Sequence, residues 1–596
     1  MIGRLKALCR PLTPGSVSRP GQVRLEGVAK EAVETGRTRL LICGGVFAVA
    51  FLAISGRLVD LTVFKPMEIA AQRKAAARTV ATGPARRAVI TDRNGVILAT
   101  DLPTYSLYAD PKFVAEPRRA ARALRRLFPD LGHQELVARL KSKRRFIWIR
   151  RHMTPGQYQR VIRLGLAGFG VRRERRRIYP HGPLTAHLVG FTNTDNRGLS
   201  GLERYLDKTI RTTDEKIAMS IDIRVQHIVH EELSAAVKAF RAIGGSGLIL
   251  DITTGEVVAM VSLPDFDPHE PDRASKDARF NRNTLGVYEM GSTFKIFNTA
   301  MSLDTGLATL DKRYDARRPL KISRFTIRDY HGKGRWLTVA EVFTYSSNIG
   351  SARMAAEAGG ARQQRFLRKL GLMTAPRLEV GEIAAPLFPH RWRPINTLTV
   401  SFGHGIAVTP VQMATAVGGV ANDGVMVPPT LLKRDETEIV HGRRVVSTAT
   451  SRSMRALMRL VVEKGTGKNA NAEGYLVGGK TGTAEKASRR GYRRKALLSS
   501  FVAVYPVTKP RYLVFVTLDE PKGNKATHGY ATGGWVAAPV VKQLVLRTAP
   551  ILGVRPVPLP DPNSLDTDRD RDRDPKNLRP KDPNLKLVNG RRNETY

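Results

Sequence analysis

The chain has 596 residues, 42% of them hydrophobic, so it is too long for one ordinary domain and has enough apolar residues for two or three domains with cores. Its 98 Lys and Arg against 53 Asp and Glu give a net charge of +45, which points to an anionic partner such as nucleic acid or a membrane surface. Cys9 and Cys43 are the only cysteines, which excludes a disulfide scaffold.

A basic leader precedes an apolar segment near the N-terminus. Residues 1–39 hold eight Lys or Arg and three Glu, which predicts a short cytoplasmic tail. Leu40–Gly56 then has 17 residues without a charge, the lower limit for a spanning helix, and snorkelling of Arg39 and Arg57 would lengthen it. We therefore predict one transmembrane helix over residues 40–60, with a buried core helix or a cleaved signal peptide as alternatives. The basic leader places the N-terminus in the cytoplasm and the remaining chain in the periplasm.

That topology argues against genomic nucleic acid as the anionic partner. The arginine-rich stretches are broken by acidic and apolar residues, as on solvated surfaces, and contact with anionic lipid or wall polymers is the alternative. The stretches are Arg118–Arg126, Arg144–Arg151 and Arg172–Arg177. We expect their side chains to face solvent.

Residues 61–235 mix short strand-like runs with basic helices. Arg87–Asp92 alternates in polarity and leads into Asn94-Gly95, which is a strong signal for a β-hairpin. His187 has no partners at metal-ligand spacing, so a structural role is expected for it. By themselves these residues show no chemistry.

A predicted hairpin and a serine motif follow. Gly247–Asp251 and Val257–Val261 predict two strands, and Ile296–Leu307 predicts a helix just after Ser292 and Lys295. A serine and a lysine three positions apart share one helix face, where a neutral lysine amine can accept the serine proton. The helix N-terminus would add N–H groups for an oxyanion. Alone, this pattern is more often a capping serine beside a surface lysine.

Two further motifs strengthen the interpretation. Ser346-Ser347-Asn348 begins 54 residues after Ser292, at a predicted helix–loop junction, and Lys480-Thr481-Gly482-Thr483 begins 188 residues after it, on a predicted strand bordering a cleft. S-x-x-K with S-D-N and K-T-G marks penicillin-binding proteins and class A β-lactamases, and here the middle motif matches at its first and third positions. The sequence thus predicts a penicillin-recognising acyl-transfer enzyme. Residues 485–495 are predicted to be a flexible loop, and residues 551–596 a disordered tail.

From about residue 80 to 550 the chain resembles class B penicillin-binding proteins, most closely the division-specific peptidoglycan D,D-transpeptidases. Met290 and Phe402 stand where many members have Pro and Tyr, which we interpret as tolerated variation. The resemblance implies an α/β protein with an inner-membrane anchor, an elongated mixed α+β pedestal over residues 61–235 and a penicilloyl-serine transferase domain over residues 236–550, an antiparallel sheet covered by helices. The stretches that carry it are Arg87–Gly95, Tyr179–Asn193, Gly198–Glu203, Ser220–Asp222, Asp251–Met260, Ser401–Gly405 and Thr409–Gln412.

The same resemblance implies roles for the motif residues. Ser292 would attack the bond between the two terminal D-alanines of a stem peptide, Lys295 would accept its proton, Ser346 would relay a proton to the leaving amine, and Asn348 would orient Lys295. Lys480 would keep the electrostatic potential of the site positive, and Thr481 and Thr483 would bind the terminal carboxylate. Gly482 would shape the backbone of the motif. An amine of a neighbouring stem would then take the acyl group.

The implied partners are stem peptides, penicillin and other β-lactams, the inner membrane, and divisome proteins including a glycan polymerase. No nucleic acid, cofactor or metal is implied. Two other functions stay open at this point: a D,D-carboxypeptidase or β-lactamase-type hydrolase, and a non-catalytic membrane scaffold or penicillin sensor. The chain has no E-x-x-L-N stretch after the second motif, the stretch that supplies the deacylating glutamate of class A β-lactamases, so a long-lived penicilloyl adduct is expected.

Overall fold

The computed structural model describes residues 24–59, 86–322, 325–435, 437–488 and 491–557, and the chain divides into two compact units, residues 1–83 and 84–596. In the first unit one helix, α1, runs from Arg24 to Val59. Its segment Arg39–Leu58 has a mean hydropathy of 2.0 and no buried residue, so it is long and apolar enough to cross a membrane. The predicted span is therefore helical, and the helix begins well before residue 40.

Both predicted tails extend beyond the described residues. Residues 1–23 and 558–596 lie outside them, whereas residues 24–39 belong to α1. Residues 551–557 follow the last helix of the second unit, where the backbone N–H of Val557 donates to the carbonyl of Gly474 at 2.7 Å. The structure thus differs from the prediction that disorder begins at residue 551.

The N-terminal part of the second unit, the pedestal, is built on a five-stranded sheet. The predicted hairpin is confirmed, because Ile90 pairs with Ala99 across an antiparallel turn in which Gly95 has a φ of +87°. The strands are β1 (Ile90–Thr91), β2 (Ile97–Ala109), β3 (Ile147–Met153), β4 (Phe169–Ile178) and β5 (Ile217–Ala218). The helices are α2 (Pro117–Leu127), α3 (His133–Leu140), α4 (Pro155–Arg163), α5 (Ala186–Val189), α6 (Gly201–Tyr205) and α7 (Asp207–Thr212). Helices α2 to α4 contribute to the small apolar core beside strands β2 and β3.

A buried ion cluster overturns one prediction about the pedestal. Arg177 lies in a stretch that was expected to face solvent, but it is 4% exposed. Its Nε donates to Glu203 at 2.6 Å and its Nη1 to Asp101 at 3.2 Å. Arg87 is fully buried and contacts Glu203 and Asp207. The guanidinium groups are buried because carboxylates distant in sequence compensate their charge.

The C-terminal part of the second unit contains a five-stranded antiparallel sheet, and helix α8 (Ile223–Ala239) leads into it. The strands are β6 (Gly244–Asp251), β7 (Val257–Leu263), β14 (Gly478–Ser488), β15 (Gly491–Tyr505) and β16 (Tyr512–Asp519), and they lie in the order β14-β15-β16-β6-β7. The predicted strands over residues 247–251 and 257–261 are confirmed. Leu248 and Leu250 enter one hydrophobic cluster and Ile249 enters another, as the two-residue period of a strand requires.

Helices cover both faces of this sheet. The cluster that contains Ile249 includes residues of α8 and the last helix, and the cluster that contains Leu248 includes residues of the helices that carry or support the serine motifs. The helices are α9 (Lys295–Asp304), α10 (Val339–Thr344), α11 (Asn348–Ala358), α12 (Gly360–Lys369), α13 (Pro394–Val400), α14 (Pro410–Ala421), α15 (Thr448–Glu463), α16 (Gly533–Val536) and α17 (Ala538–Thr548). Short strands lie between them: β8 (Arg313–Asp315), β9 (Leu320–Ile322), β10 (Phe325–Ile327), β11 (Trp336–Thr338), β12 (Val425–Met426) and β13 (Arg443–Arg444). The predicted architecture, an antiparallel sheet covered by helices, is confirmed.

Candidate active site

The serine motif lies where a short 3-10 turn, Gly291–Phe294, runs into α9. This junction places Ser292 one turn before Lys295, and Lys295 Nζ lies 2.8 Å from Ser292 Oγ. Lys295 is 1% exposed, whereas Ser292 is partly open to solvent. The alternative of a surface lysine is therefore wrong. A reactant can reach the hydroxyl, and the amine is held out of bulk water.

The second motif lies between two helices, at the predicted helix–loop junction. Helix α10 ends at Thr344 and α11 begins at Asn348, with Ser346 between them in the left-handed region at φ +61°. This conformation is unfavourable for a residue with a side chain and is retained where the surrounding structure enforces it. Ser347 caps α11, its Oγ accepting from the N–H of Gly350 at 3.0 Å.

Four oxygen atoms surround the amine of Lys295. Its Nζ lies 2.8 Å from Ser346 O, 2.7 Å from Asn348 Oδ1 and 3.2 Å from Ser346 Oγ, in addition to Ser292 Oγ. Burial lowers the pKa of Lys295 well below its usual value, and the neighbouring Lys480 lowers it further. A neutral amine has two N–H groups and one lone pair. The carbonyl of Ser346 and the amide oxygen of Asn348 can only accept, so they take both N–H groups and leave the lone pair for the hydroxyl proton of Ser292.

The K-T-G-T motif lies on β14, which is confirmed as a strand, with Lys480 opposite Val502 of β15. Lys480 is fully buried, which lowers its pKa to about 7, and its Nζ donates to Ser346 Oγ at 2.9 Å. Ser346 Oγ therefore lies between two lysine amines. Such a hydroxyl can pass a proton from one amine to an atom bound in the cleft.

The threonines of this motif are held by their neighbours. Thr481 Oγ1 lies 2.8 Å from Thr466 Oγ1, and Thr483 Oγ1 accepts from the N–H of Gly533 at 3.1 Å. The structure thus brings all eight predicted site residues onto two adjoining segments and one strand. The basic segment 485–495 is not the predicted loop, because β14 and β15 continue through Ser488 and from Gly491.

Backbone packs directly against backbone between the serine motif and β14. A Cβ added to Gly291, whose φ is +55°, would lie 2.6 Å from Thr483 O, and one added to Gly403 would lie 2.2 Å from Gly291 O. A Cβ at Gly482 would lie 2.3 Å from Ser500 Oγ and 2.7 Å from Met290 O. The absence of side chains at these three glycines lets the serine segment approach both β14 and the stretch around Gly403 closely.

Two acidic residues of the site were not predicted. Asp329 contacts the Ser346–Asn348 motif from the loop after β10. Glu289 Oε1 accepts from the N–H of Gly405 at 2.9 Å and so connects the serine segment to the Ser401–Gly405 stretch. Glu289 could have been found from its position just before the serine motif, whereas no local pattern singles out Asp329.

His187, which was expected to be structural, is partly buried. Its Nε2 lies 2.8 Å from the carbonyl oxygen of Ala278, and burial lowers its pKa to about 4. Within the described ranges, no group of three His, Cys, Asp or Glu residues is placed to hold a metal ion.

Two family models match the chain. The model described as the penicillin binding protein transpeptidase domain matches residues 245–546, and the model described as the penicillin-binding protein dimerisation domain matches residues 82–236. Together they cover the sheet with its motifs and the pedestal.

Curated relatives and solved structures agree with these matches. The probable peptidoglycan D,D-transpeptidase FtsI of Caulobacter vibrioides is 41% identical over 482 residues, which are 79% of this chain and 82% of the relative. The peptidoglycan D,D-transpeptidase FtsI of Escherichia coli K12 is 31% identical over 551 residues, 85% of this chain and 91% of the relative. The crystal structure of penicillin binding protein 3 from Mycobacterium tuberculosis in complex with aztreonam has a TM-score of 0.62 at 25% identity and covers 80% of this chain and 98% of its own.

Proposed function

The chain belongs to the class B penicillin-binding proteins and is a peptidoglycan D,D-transpeptidase of the FtsI type, and from this premise we propose that Ser292 is the nucleophile that forms its acyl-enzyme. The observation that carries the proposal is the set of contacts around Lys295, whose lone pair is left for the Ser292 hydroxyl. Ser346 Oγ also lies within hydrogen-bond distance of Lys295, at 3.2 Å, but it accepts a second hydrogen bond from Lys480.

In the proposed first half-reaction, Ser292 Oγ attacks the carbonyl carbon between the two terminal D-alanines of a stem peptide. The Oγ–C bond forms as Lys295 takes the hydroxyl proton. The tetrahedral intermediate then collapses, the C–N bond breaks, and the proton passes through Ser346 to the leaving amine of D-alanine. The product is an ester between Ser292 and the shortened stem, as in other serine acyl transferases.

Charge complementarity supports the proposed donor. The terminal D-alanine carries a carboxylate, and Lys480, Thr481 and Thr483 present one cation and two hydroxyls on the same strand. The backbone N–H groups of Ser292 and Thr483 are the proposed oxyanion donors, and the close approach of Gly291 to Thr483 supports their proximity. The terminal carboxylate would also raise the pKa of Lys480 and keep it protonated.

In the second half-reaction an amine of a neighbouring stem attacks the ester carbonyl. The new C–N bond forms, the bond to Ser292 Oγ breaks, and the amine proton returns to Oγ through Lys295. A β-lactam enters the first half-reaction in the same way. Its leaving amine remains part of the adduct, so it stays in the cleft and hinders the attack of an incoming amine.

We also propose the cellular setting. The basic residues before Leu40 and the apolar span Arg39–Leu58 support a single-pass inner-membrane protein with a cytoplasmic N-terminus and a periplasmic catalytic domain. Residues 61–235 would act as the pedestal and residues 236–550 as the transpeptidase domain. Divisome proteins, including a glycan polymerase, are the proposed partners during septal wall synthesis.

Labelling with a fluorescent penicillin tests the nucleophile. We expect Ser292→Ala to lose all labelling and Lys295→Ala to lose most of it, while Ser275→Ala, a control on an exposed loop, keeps it. Peptide mapping of the wild-type adduct should identify Ser292. Undiminished labelling of folded Ser292→Ala, or an adduct on another residue, would contradict the assignment.

A further inference from the structure

Asp329 lies in the loop between β10 and β11 and contacts the second motif with both carboxylate oxygens. Its Oδ1 accepts from the backbone N–H groups of Asn348 at 2.6 Å and Ile349 at 3.0 Å. Its Oδ2 accepts from the hydroxyl of Ser347 at 2.7 Å. One carboxylate thus takes three hydrogen bonds from three consecutive residues.

These contacts add to the cap that Ser347 provides at the N-terminus of α11. The first N–H groups of a helix have no partner within the helix. In α11, Asp329 accepts from the first two of them and Ser347 accepts from that of Gly350. An anion at this end is also favoured by the helix dipole. A residue some 20 positions away along the chain therefore fixes where α11 begins.

The residue before Asp329 fixes the orientation of the Asn348 side chain. The carbonyl of Arg328 accepts from Asn348 Nδ2 at 3.0 Å. Since Nδ2 is engaged there, Oδ1 is the amide atom directed at Lys295, 2.7 Å from its Nζ. Residues 328 and 329 together thus determine that Lys295 meets an acceptor rather than a donor.

We infer that Asp329 is a positioning residue of the acyl-transfer reaction, which holds Ser346 and Asn348 where they engage both N–H groups of Lys295. It touches neither Ser292 nor the reacting carbonyl. The inference rests on the proposed function, because it concerns the geometry of the base that activates Ser292. Without Asp329 the two acceptors would shift, and the lone pair of Lys295 would no longer be reserved for the Ser292 hydroxyl.

Asp329 also contributes to the charge around Lys295. Burial and Lys480 on β14 lower the pKa of Lys295, whereas Asp329 raises it. His404, from the segment after α13, lies near enough for Lys295 to affect it, but burial lowers its pKa to about 4, so it is neutral near pH 7. Removing the charge of Asp329 should therefore lower the pKa of Lys295 and move the acid limb of the acylation rate to lower pH.

The test measures the second-order rate constant of acylation of the full-length protein by a fluorescent penicillin between pH 5 and pH 9. The variants are Asp329→Asn, which removes the charge but keeps an acceptor, and Asp329→Ala, which removes both. The matched control is Asp304→Asn, because Asp304 Oδ1 likewise accepts from the N–H of a helix-capping residue, Ser447, at 2.7 Å. Asp304 ends α9, about 13 Å along the helix from Lys295.

At pH 7 we expect the second-order rate constant of acylation to decrease about 10-fold in Asp329→Asn and about 100-fold in Asp329→Ala. Misplacement of a catalytic group by about 1 Å produces effects of this size. The acid limb of Asp329→Asn should lie at lower pH than that of the wild type. Asp304→Asn should be acylated at a rate within about twofold of the wild type, and the acid limb of its pH profile should not move, because Asp304 does not contact the second motif.

Several results would overturn the inference. The first is acylation of both Asp329 variants at a rate within twofold of the wild type at every pH. The second is a lower acylation rate with no movement of the acid limb, which would mean a merely structural role. The third is an equally large decrease of the acylation rate in Asp304→Asn. Unfolding curves measured on all variants separate loss of folded protein from loss of rate. If the wild type itself is not acylated at Ser292, the proposed function fails rather than the role of Asp329.

Discussion

Replacing Lys480 with methionine should make the protein more stable at pH 6 while it weakens acylation. Lys480 is fully buried, and burial lowers its pKa from 10.5 to about 7. Below pH 7 the folded protein must therefore hold a buried ammonium group that the unfolded chain keeps in water. Methionine has a similar length and no charge, so it removes this cost.

The size and sign of the effect follow from the pKa. A pKa decrease of this size corresponds to a free-energy difference of at most about 5 kcal/mol between burying the charged and the neutral form of Lys480. Loss of the hydrogen bond to Ser346 Oγ offsets about 1 kcal/mol. We therefore expect the free energy of unfolding at pH 6 to rise by about 3 kcal/mol, and the midpoint of unfolding by about 5–10 °C. Between pH 7 and pH 10.5 the unfolded chain binds the proton that the folded chain has lost, so the gain shrinks and disappears above pH 10.5.

The assay is thermal unfolding of the full-length protein in a mild detergent at several pH values from 6 to 10. The control is Lys276→Met, which removes an exposed lysine and should change the midpoint little at any pH. A Lys480→Met variant that unfolds at lower temperature than the wild type at pH 6 would refute the reasoning. So would a gain of equal size at pH 6 and pH 10.

The other predictions concern the pedestal, the pH profile, the adduct and the topology. Glu203→Ala leaves Arg87 and Arg177 buried without their shared carboxylate, so it should cost about 3–5 kcal/mol in urea unfolding, and a change below about 1 kcal/mol would contradict this. Acylation by penicillin should fall as pH rises above about 7, where Lys480 loses its proton, and Lys480→Arg should abolish this alkaline limb. A penicilloyl adduct on Ser292 should persist for many minutes in intact-protein mass spectrometry after the drug is removed, whereas loss within seconds would indicate a hydrolase. A reporter that is active only in the periplasm should be active when fused after residue 60, and activity of a cytoplasmic reporter there would reverse the assigned orientation.

Features that depend on local patterns could be predicted from the sequence. The serine–lysine spacing matches one helical turn, and it places Lys295 beside Ser292. The alternation of apolar residues in β6 assigns Leu248 and Ile249 to opposite faces of the sheet. Gly95 marks a turn because its φ is positive. In each case the information lies within a few residues of the feature.

Features that depend on distant partners could not be predicted. Arg177 was expected at the surface because acidic and apolar residues break the arginine-rich stretches, and its partners Glu203 and Asp101 are far away in the chain. Asp329 lies in an irregular loop with no periodic pattern. The composition of the segment after the third motif predicts a loop, but its backbone pairs as a hairpin, with Lys486 opposite Arg493. Ladder hydrogen bonds join backbone groups, so a polar composition does not prevent them.

The close approach of the serine segment to β14 restricts how the protein can evolve under β-lactam selection. A missense change at the codon for Gly291, Gly403 or Gly482 adds at least a Cβ where the nearest heavy atom would be 2.2–2.6 Å away. Such alleles should be lost with cell viability, because the two segments would separate and cross-linking would stop. Heritable drug escape is therefore not expected at these three codons and must use positions where an altered side chain can be accommodated.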